Sequence, residues 1–496
     1  MKARIAVIVA AVFLLAVGLI AFTLTRSSPA DATSASASSS ATLPTSAPVR
    51  TILPPEMKAE IIATNLKAPW AISFLPDGRI FFTERDGRVR VIANGQLLPE
   101  PALTVPDIKV WSKMGLLGMA LDPNFERNHF IYLSECYGDQ DHNFSRVVRY
   151  REDQNKLVEP RPLITDIPAF WNHNGGRIKF GPDRKLYLTT GDADKPPLAQ
   201  DLKSVAGKIL RLNTDGTAPA DNPFVGRDDA LPVIWSYGHR NPQGLTWQPS
   251  SNALFAPEHG PDGGDEFNLI LPGQNYGWPV VSHKRSREGM ISPLVEFTPS
   301  IGPADAVFYN ADLFPTLNGD LLVGAMRGEA IIRVRFDGHS IASVERMLFK
   351  QFGRIREVAI APDGAIWITT SEIDPPDGRN LPEFDKIIRL TPTGRDLPAV
   401  DPVPDARQLP KPVGAEAIFT QTCTVCHGNS VVNTMQPSLF DAQWNHGSDD
   451  ASIRRNITNG IAERGMPSFK DKLTDAEIGE LVAYIRKRGT ATSTQP

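Results

Sequence analysis

The sequence predicts an all-β six-bladed β-propeller, followed by a small all-α unit and preceded by one apolar helix. Three observations predict it. A strand-turn-strand unit recurs six times through the middle of the chain. Two proline-rich or serine-rich breaks isolate that middle from both ends. The texture after the second break turns from alternating to helical. A chain of 496 residues is too long for one compact core and divides into about two to four units.

The chain opens on a targeting segment, residues 1–26. Lys2 and Arg4 precede an apolar run from Ile5 to Thr25, and Arg26 closes it. That run is long enough to cross a bilayer as a helix. The positive-inside rule leaves the rest of the chain outside the cytoplasm. The expected location is therefore the periplasm, with residues 5–25 as an inner-membrane anchor; the small residues after Arg26 leave open whether it is cleaved. Residues 27–52, rich in Ser, Ala and Pro, read as a flexible tether.

The body, residues 53–395, repeats an alternating apolar strand, a Pro-Asp-Gly-like turn and a second strand ending in small or acidic residues. The copies begin at Ala71, Met119, Arg177, Leu245, Ala306 and Val358. Alternation with β-branched and aromatic residues marks strands rather than helices. Spacing of roughly 50 to 65 residues marks a repeated four-stranded blade. One blade cannot bury both of its faces, so six close into a ring.

Residues 396–411 form a second linker, semi-rigid because Pro398, Pro402, Pro404 and Pro410 crowd it. Residues 412–489 are helical, with Ile478, Leu481, Val482 and Ile485 at helical spacing. Thr474 is the expected N-cap of that helix, with Glu477 at the capping-box position. Residues 490–496 are a tail. The formal net charge of −4 predicts no nucleic-acid partner, and three cysteines cannot make a disulfide framework.

Two of the cysteines lie in Cys423-Thr424-Val425-Cys426-His427. Two thiols at this spacing add to the vinyl groups of haem, and the following imidazole ligates the iron. Neither a βαβ context nor a second ligand pair favours a redox or zinc reading. The unit resembles class I cytochromes c over residues 412–489. The resemblance makes Met466, in Gly465-Met466-Pro467, the sixth iron ligand; Met435 is the rival. A thioether raises the reduction potential, which suits an electron acceptor.

Polar stretches on the loops of the body carry a second signal. They are Trp171-Asn172-His173-Asn174-Gly175-Gly176-Arg177, Gly238-His239-Arg240-Asn241-Pro242-Gln243-Gly244, Glu258-His259-Gly260-Pro261 through Glu266, Asn275-Tyr276-Gly277-Trp278-Pro279, and Gly353-Arg354-Ile355-Arg356-Glu357. The stretches that enter blades are expected to open on one face of the ring. Together these strings resemble the soluble, PQQ-dependent glucose/sorbosone (aldose sugar) dehydrogenase family over residues 60 to 391.

The resemblance implies the following roles. His173 is the general base, and an imidazole near its ordinary pKa suits that task. Arg240 and Asn241 polarise the quinone carbonyl. Asp192 is an acid on the substrate side. Arg240, Asn241, Arg354 and Arg356 bind pyrroloquinoline quinone, a flat tricarboxylate for which guanidinium groups are matched donors. Gly260 and Pro261 offer carbonyl oxygens to Ca²⁺ at the cofactor, and Glu266 and Tyr276 belong to a second, structural calcium site.

Two positions depart from the family pattern. Met326 stands where the family carries a cofactor-binding lysine, with Arg327 beside it as the candidate replacement. Lys113 stands where the family often has glutamine. Both Lys113 and Arg327 are therefore candidate cofactor-binding cations. Cys136 reads as a buried, inert thiol.

The expected activity is oxidation of an aldose to its lactone. Electrons then pass to the chain's own haem and on to a respiratory acceptor, whether cytochrome, quinone or oxidase. A propeller that only binds proteins and a calcium-dependent lactonase-type hydrolase are the alternatives.

Overall fold

The computed structural model describes residues 50–51, 56–139, 142–261, 263–283, 285–337, 340–374 and 385–393 of the body, and 414–419, 423, 439–440, 444, 446–461, 466 and 468–492 of the C-terminal unit. The expected anchor at 5–25, most of both linkers, and Cys426, His427 and Met435 lie outside them. Among the described residues, no helix is long and apolar enough to cross a membrane.

Six antiparallel sheets correspond one to one with the six sequence repeats. The first two strands of each blade are Pro69–Phe74 and Ile80–Glu84, Leu116–Leu121 and Phe130–Gly138, Ile178–Phe180 and Leu186–Thr190, Thr246–Trp247 and Leu254–Glu258, Pro303–Phe308 and Leu321–Ala325, and Ile355–Ile360 and Ile366–Thr370. The sixth blade is completed by Ile387–Pro392 and then by Met57–Ala63, a strand from the other end of the body. This exchange, together with the packing of Ile355–Ile360 on Pro69–Phe74, closes the ring. Arg50–Thr51 adds a parallel strand to the edge of blade five.

Three of the six repeats set their turn with one device. Asp77, Asp183 and Asp363 each accept the backbone N–H two residues on, at 3.0, 3.1 and 3.0 Å. A short carboxylate thus fixes the turn before any tertiary contact forms. The second strands depart from the alternation read in the sequence. Ile80–Glu84, Leu186–Thr190, Leu254–Glu258, Leu321–Ala325 and Ile366–Thr370 are buried at every position. A blade lies between two others, so neither face of its second strand meets water. Phe81, Phe82 and Phe255 are fully buried there; truncating one to alanine costs about 3–5 kcal/mol.

The C-terminal unit contains helices Ala415–Ile418, Asp450–Asn459 and Asp475–Thr492 around a core of Ile418, Phe419, Phe440, Ile457 and Leu481. The expected capping box is present. Thr474 N–H donates to Glu477 Oε2 at 2.7 Å, and the Glu477 N–H donates back to Thr474 Oγ1 at 3.3 Å.

Candidate active site

Antiparallel pairing places the start of each innermost strand opposite the end of the second strand. Pro69 faces Glu84, Pro303 faces Ala325 and Ile355 faces Thr370. Residues just before a first strand and just after a second strand therefore meet on one rim. The stretches at 173–177, 239–244 and 353–356 enter first strands. Arg85, Asp192, Glu258 and Asp374 leave second strands. A cavity open to solvent brings residues of both kinds together: Arg85, His173, Asn241, Gln243, Arg356 and Asp374, with Lys113, His259, Met326 and Trp70.

His173 is buried, and its backbone is left-handed at φ +54°, a strained conformation for a residue with a side chain. The loop can sit there because position 191 is glycine; a Cβ on Gly191 would come within 1.8 Å of the His173 carbonyl oxygen. The His173 Nδ1 lies 2.8 Å from Asp192 Oδ1. A carboxylate can only accept, so Nδ1 donates and Nε2 carries the lone pair. Nε2 is buried without a hydrogen-bond partner among the described residues. Burial first, then the charges of Arg240 and Lys113, hold this imidazole below its usual range against the opposing pull of Asp192. The group is a neutral base at pH 7.

Asp192, expected as a substrate-side acid, is fully buried behind the imidazole. Its Oδ1 takes His173 and the Asp194 N–H, and its Oδ2 takes the Trp278 indole N–H at 2.7 Å. Its contacts are those of an orienting group.

Glu258 sets the loop that carries Arg240 and Asn241. Its Oε1 accepts the backbone N–H groups of both residues, and its Oε2 accepts from His239 Nδ1 at 2.8 Å. His239 in turn stacks on Tyr276 with centroids 4.7 Å apart. Asn241 is buried and accepts from the Gly175 N–H and Gln243 Nε2. The Arg240 guanidinium lies over the Trp278 ring at 5.3 Å, and burial lowers its pKa.

The opposite wall is cationic. Arg354 and Arg356 are both buried. Arg354 donates from Nε to the Ser371 carbonyl. Arg356 donates to Gln243 Oε1 and Asp374 Oδ2, while Arg85 Nε pairs with Asp374 Oδ1 at 2.9 Å. Burial, then Arg354, Arg177 and Arg85, drive the Arg356 pKa well below its normal value. Trp70 lies between Arg177 and Arg356, whose guanidinium carbons are 4.0 and 5.6 Å from its ring. One carboxylate, Asp374, thus serves two buried guanidiniums, and among the described residues Arg240 Nε and Arg356 Nε lack hydrogen-bond partners. A wall so charged is suited to an anion.

Lys113 and Met326 line this cavity. Arg327 does not, and it is exposed. After the strand that ends at Ala325, Met326 is buried at the cavity and Arg327 is exposed, so the cavity lining itself lends the expected part of Arg327 no support.

The calcium-related residues divide into two places. Gly260 donates its N–H to Asp265 Oδ1, and the Pro261 carbonyl accepts the Gly263 N–H at 2.7 Å. Glu266 stands across the strands from Glu258 and Glu296. Burial, then Glu258, push its carboxyl up to about 8. Glu296 Oε2 and Asn268 Oδ1 are buried there without partners among the described residues. Oxygen-rich surroundings with crowded carboxylates fit a hard cation. Tyr276 offers no side-chain oxygen to it, because its hydroxyl is bonded to Leu269 and Leu271. Among the described residues no three His, Cys, Asp or Glu side chains converge as a metal site, so any such ion relies on main-chain oxygen as well.

In the C-terminal unit, Cys423 and Met466 border the same apolar core. Met466 makes reciprocal backbone bonds with Ile461, at 2.9 and 3.1 Å. Cys136 is fully buried against Ser145 Oγ, and burial raises its thiol pKa. Sequence reasoning missed Trp70, Arg85, Gln243, Glu258, Trp278 and Asp374 as site residues. Their common signal is position, at the start of a first strand, within a few residues after a second strand, or within a quoted motif.

Residues 66–379 match the family model described as glucose/sorbosone dehydrogenase. Residues 412–485 match the model for subunit III of cbb3-type cytochrome c oxidase. The aldose sugar dehydrogenase YliI of Escherichia coli is 34% identical over 338 residues, covering 64% of this chain and 91% of that protein. A glucose dehydrogenase-type oxidoreductase of Thermus thermophilus superposes with a TM-score of 0.62 at 39% identity, over 67% of this chain and 99% of that one. The PQQ-bound aldose sugar dehydrogenase of Streptomyces coelicolor does so with a TM-score of 0.61 at 33% identity, over 68% and 99%. A charged rim on a six-bladed ring and a family match spanning more than half the sequence agree, and the chain belongs to the glucose/sorbosone dehydrogenase family, extended by a C-terminal cytochrome c unit.

Proposed function

We propose that the protein is a periplasmic quinoprotein that oxidises the anomeric hydroxyl of an aldose to a lactone and passes the electrons to a haem on its own C-terminal unit. One observation carries the reading. A buried imidazole nitrogen, without a partner among the described residues, faces the same cavity as a wall of guanidinium groups gathered on the carboxylate of Asp374. That pairing of base and anion site is what a tricarboxylate redox cofactor and a hydroxyl substrate require together.

Pyrroloquinoline quinone, when bound, supplies the carbonyl carbon that accepts hydride. Arg356, Lys113 and Gln243, which line the cavity, together with Arg354 would hold its carboxylates, and carbonyl oxygens at Gly260 and Pro261 would offer a place for Ca²⁺. Arg240 and Asn241 direct positive charge and a preset dipole at the site of developing negative charge. His173 Nε2 takes the substrate hydroxyl proton, and Asp192 stabilises the resulting imidazolium. The lactonase alternative calls for side-chain carboxylates converging on one metal, and the described cavity is instead rich in arginine.

A haem joined to Cys423 and Cys426 supplies a one-electron carrier. His427 and Met466 would hold its iron. The position of Cys423 and Met466 on one apolar core supports this. The linker at 396–411 keeps the two units at high effective concentration, and the run at 5–25 tethers both to the inner membrane. The experiment is reconstitution of purified haem-loaded protein with the quinone and Ca²⁺. Addition of an aldose is expected to reduce the haem, read from its absorption bands. Quinone uptake without sugar-dependent reduction overturns the reading.

A further inference from the structure

The His173–Asp192 pair is held from behind by a residue that makes no use of the cavity. We propose that Trp278 is a positioning residue for the base: its indole N–H fixes the Asp192 carboxylate so that His173 keeps its proton on Nδ1 and presents a bare Nε2. The inference rests on the proposed role of His173.

The geometry carries it in three steps. Asp192 is fully buried, so each of its oxygens needs a donor from the protein. The Oδ1 has two, His173 Nδ1 and the Asp194 N–H, both at 2.8 Å. The Oδ2 has the Trp278 Nε1 at 2.7 Å. Without that bond a buried carboxylate oxygen loses its donor, and rotation of the carboxylate is the cheapest relief. Rotation changes the angle at which Oδ1 meets the imidazole, and with it the preference for one tautomer.

Trp278 is itself fixed. Its backbone N–H donates to the Gly238 carbonyl at 2.9 Å, and its carbonyl accepts Gln200 Nε2 at 2.7 Å. The Asp192 N–H donates to the Arg240 carbonyl at 2.9 Å. The Arg240 guanidinium covers the Trp278 ring. One indole therefore ties the base, its carboxylate and the arginine at the reacting end into one unit. An aromatic residue of similar shape but without the N–H would leave the backbone contacts in place.

Trp278→Phe is the test, with two readouts. In imidazole-¹⁵N-labelled protein without quinone, at neutral pH, the wild-type His173 is expected as the Nδ1–H tautomer alone, and the variant as a mixture of both. In the loaded enzyme the variant's kcat is expected to fall about tenfold, while quinone affinity and KM for the sugar stay within about twofold. A single unchanged tautomer together with unchanged kcat overturns the proposal. If Trp278→Phe does not fold, hydrogen exchange of the wild-type Trp278 indole decides. Protection that disappears in Asp192→Asn supports the proposal, and exchange at the rate of an exposed indole overturns it. The tautomer is read without quinone, so failure of the sugar reading and failure of this proposal are separate outcomes.

Discussion

The two units of this protein carry their chemistry in opposite ways. The C-terminal unit concentrates most of its candidate haem-binding residues in a run of five, Cys423 to His427, with Met466 as a distant candidate ligand. The propeller spreads its candidate site over His173, Asn241, Arg356 and Asp374, which only the ring brings to one rim. A local motif of this kind would act through covalent attachment of haem, and would need little from the fold beyond a core to border. A distributed site depends on strand register, because one slip turns every side chain to the other face. The first kind of site is broken by one atom. The second degrades by steps whose size reflects what each residue touches.

The largest effect separates the two units. Changing Cys423 and Cys426 together to serine is expected to remove covalent haem and abolish delivery of electrons to a respiratory acceptor. Turnover with a small soluble dye as acceptor should remain near wild type. Loss of both activities would mean that the propeller cannot work without its partner unit.

Within the propeller, His173→Ala should lower kcat about 10³-fold, within the range for a lost general base, with quinone affinity unchanged. The pH profile sharpens this. The free base is the active form, so activity rises as the proton leaves His173. Burial lowers that pKa below its ordinary 6.5, so the acid limb of kcat/KM must have its midpoint under 6.5. The same shift has a stability sign. The unfolded imidazole binds its proton at higher pH than the folded one, so this residue's contribution is present above 6.5 and is lost as pH falls toward the folded value. A limb at or above 6.5 would contradict the buried, neutral base.

What the sequence made legible follows the same division. The six blades were readable because Asp77, Asp183 and Asp363 repeat one turn device next to alternating strands. His173, Arg240 and Arg356 stood out only through whole motifs, since a lone loop histidine carries no sign of the burial it has in the fold. Asp374 and Arg85 were hidden. Each follows a strand end, and their pairing is decided by ring closure between the first and last blades. Asp192 was visible in the sequence, but its bonds to His173 and to Trp278, far along the chain, were not. Inward and outward neighbours such as Met326 and Arg327 differ by one position of register, which composition does not reveal.

A smaller effect concerns the crowded carboxylates at Glu258, Glu266 and Glu296. Removing divalent cations with a chelator is expected to lower the melting temperature of the propeller by several degrees, and calcium should restore it, as for any ligand that binds only the folded state. Glu266→Gln should shrink the calcium-dependent gain, read by scanning calorimetry. An equal gain in wild type and variant would move the ion away from Glu266, toward the carbonyls at Gly260 and Pro261.

The smallest effect tests the reading of register. Arg327 is exposed and Met326 lines the cavity, so Arg327→Ala should change quinone affinity by less than about twofold. A surface charge contributes little across water and salt. Arg356→Ala provides the contrast. It removes a buried guanidinium bonded to Gln243 and Asp374, and it leaves Asp374 with Arg85 as its partner. Affinity should fall by at least about a hundredfold, since a buried charge-assisted bond is worth about 3 kcal/mol. Titration of the two apoproteins with the quinone measures both. If Arg327→Ala proves the more damaging, the strand end at Ala325 presents its neighbours the other way round, and the cation for the cofactor comes from Arg327 after all.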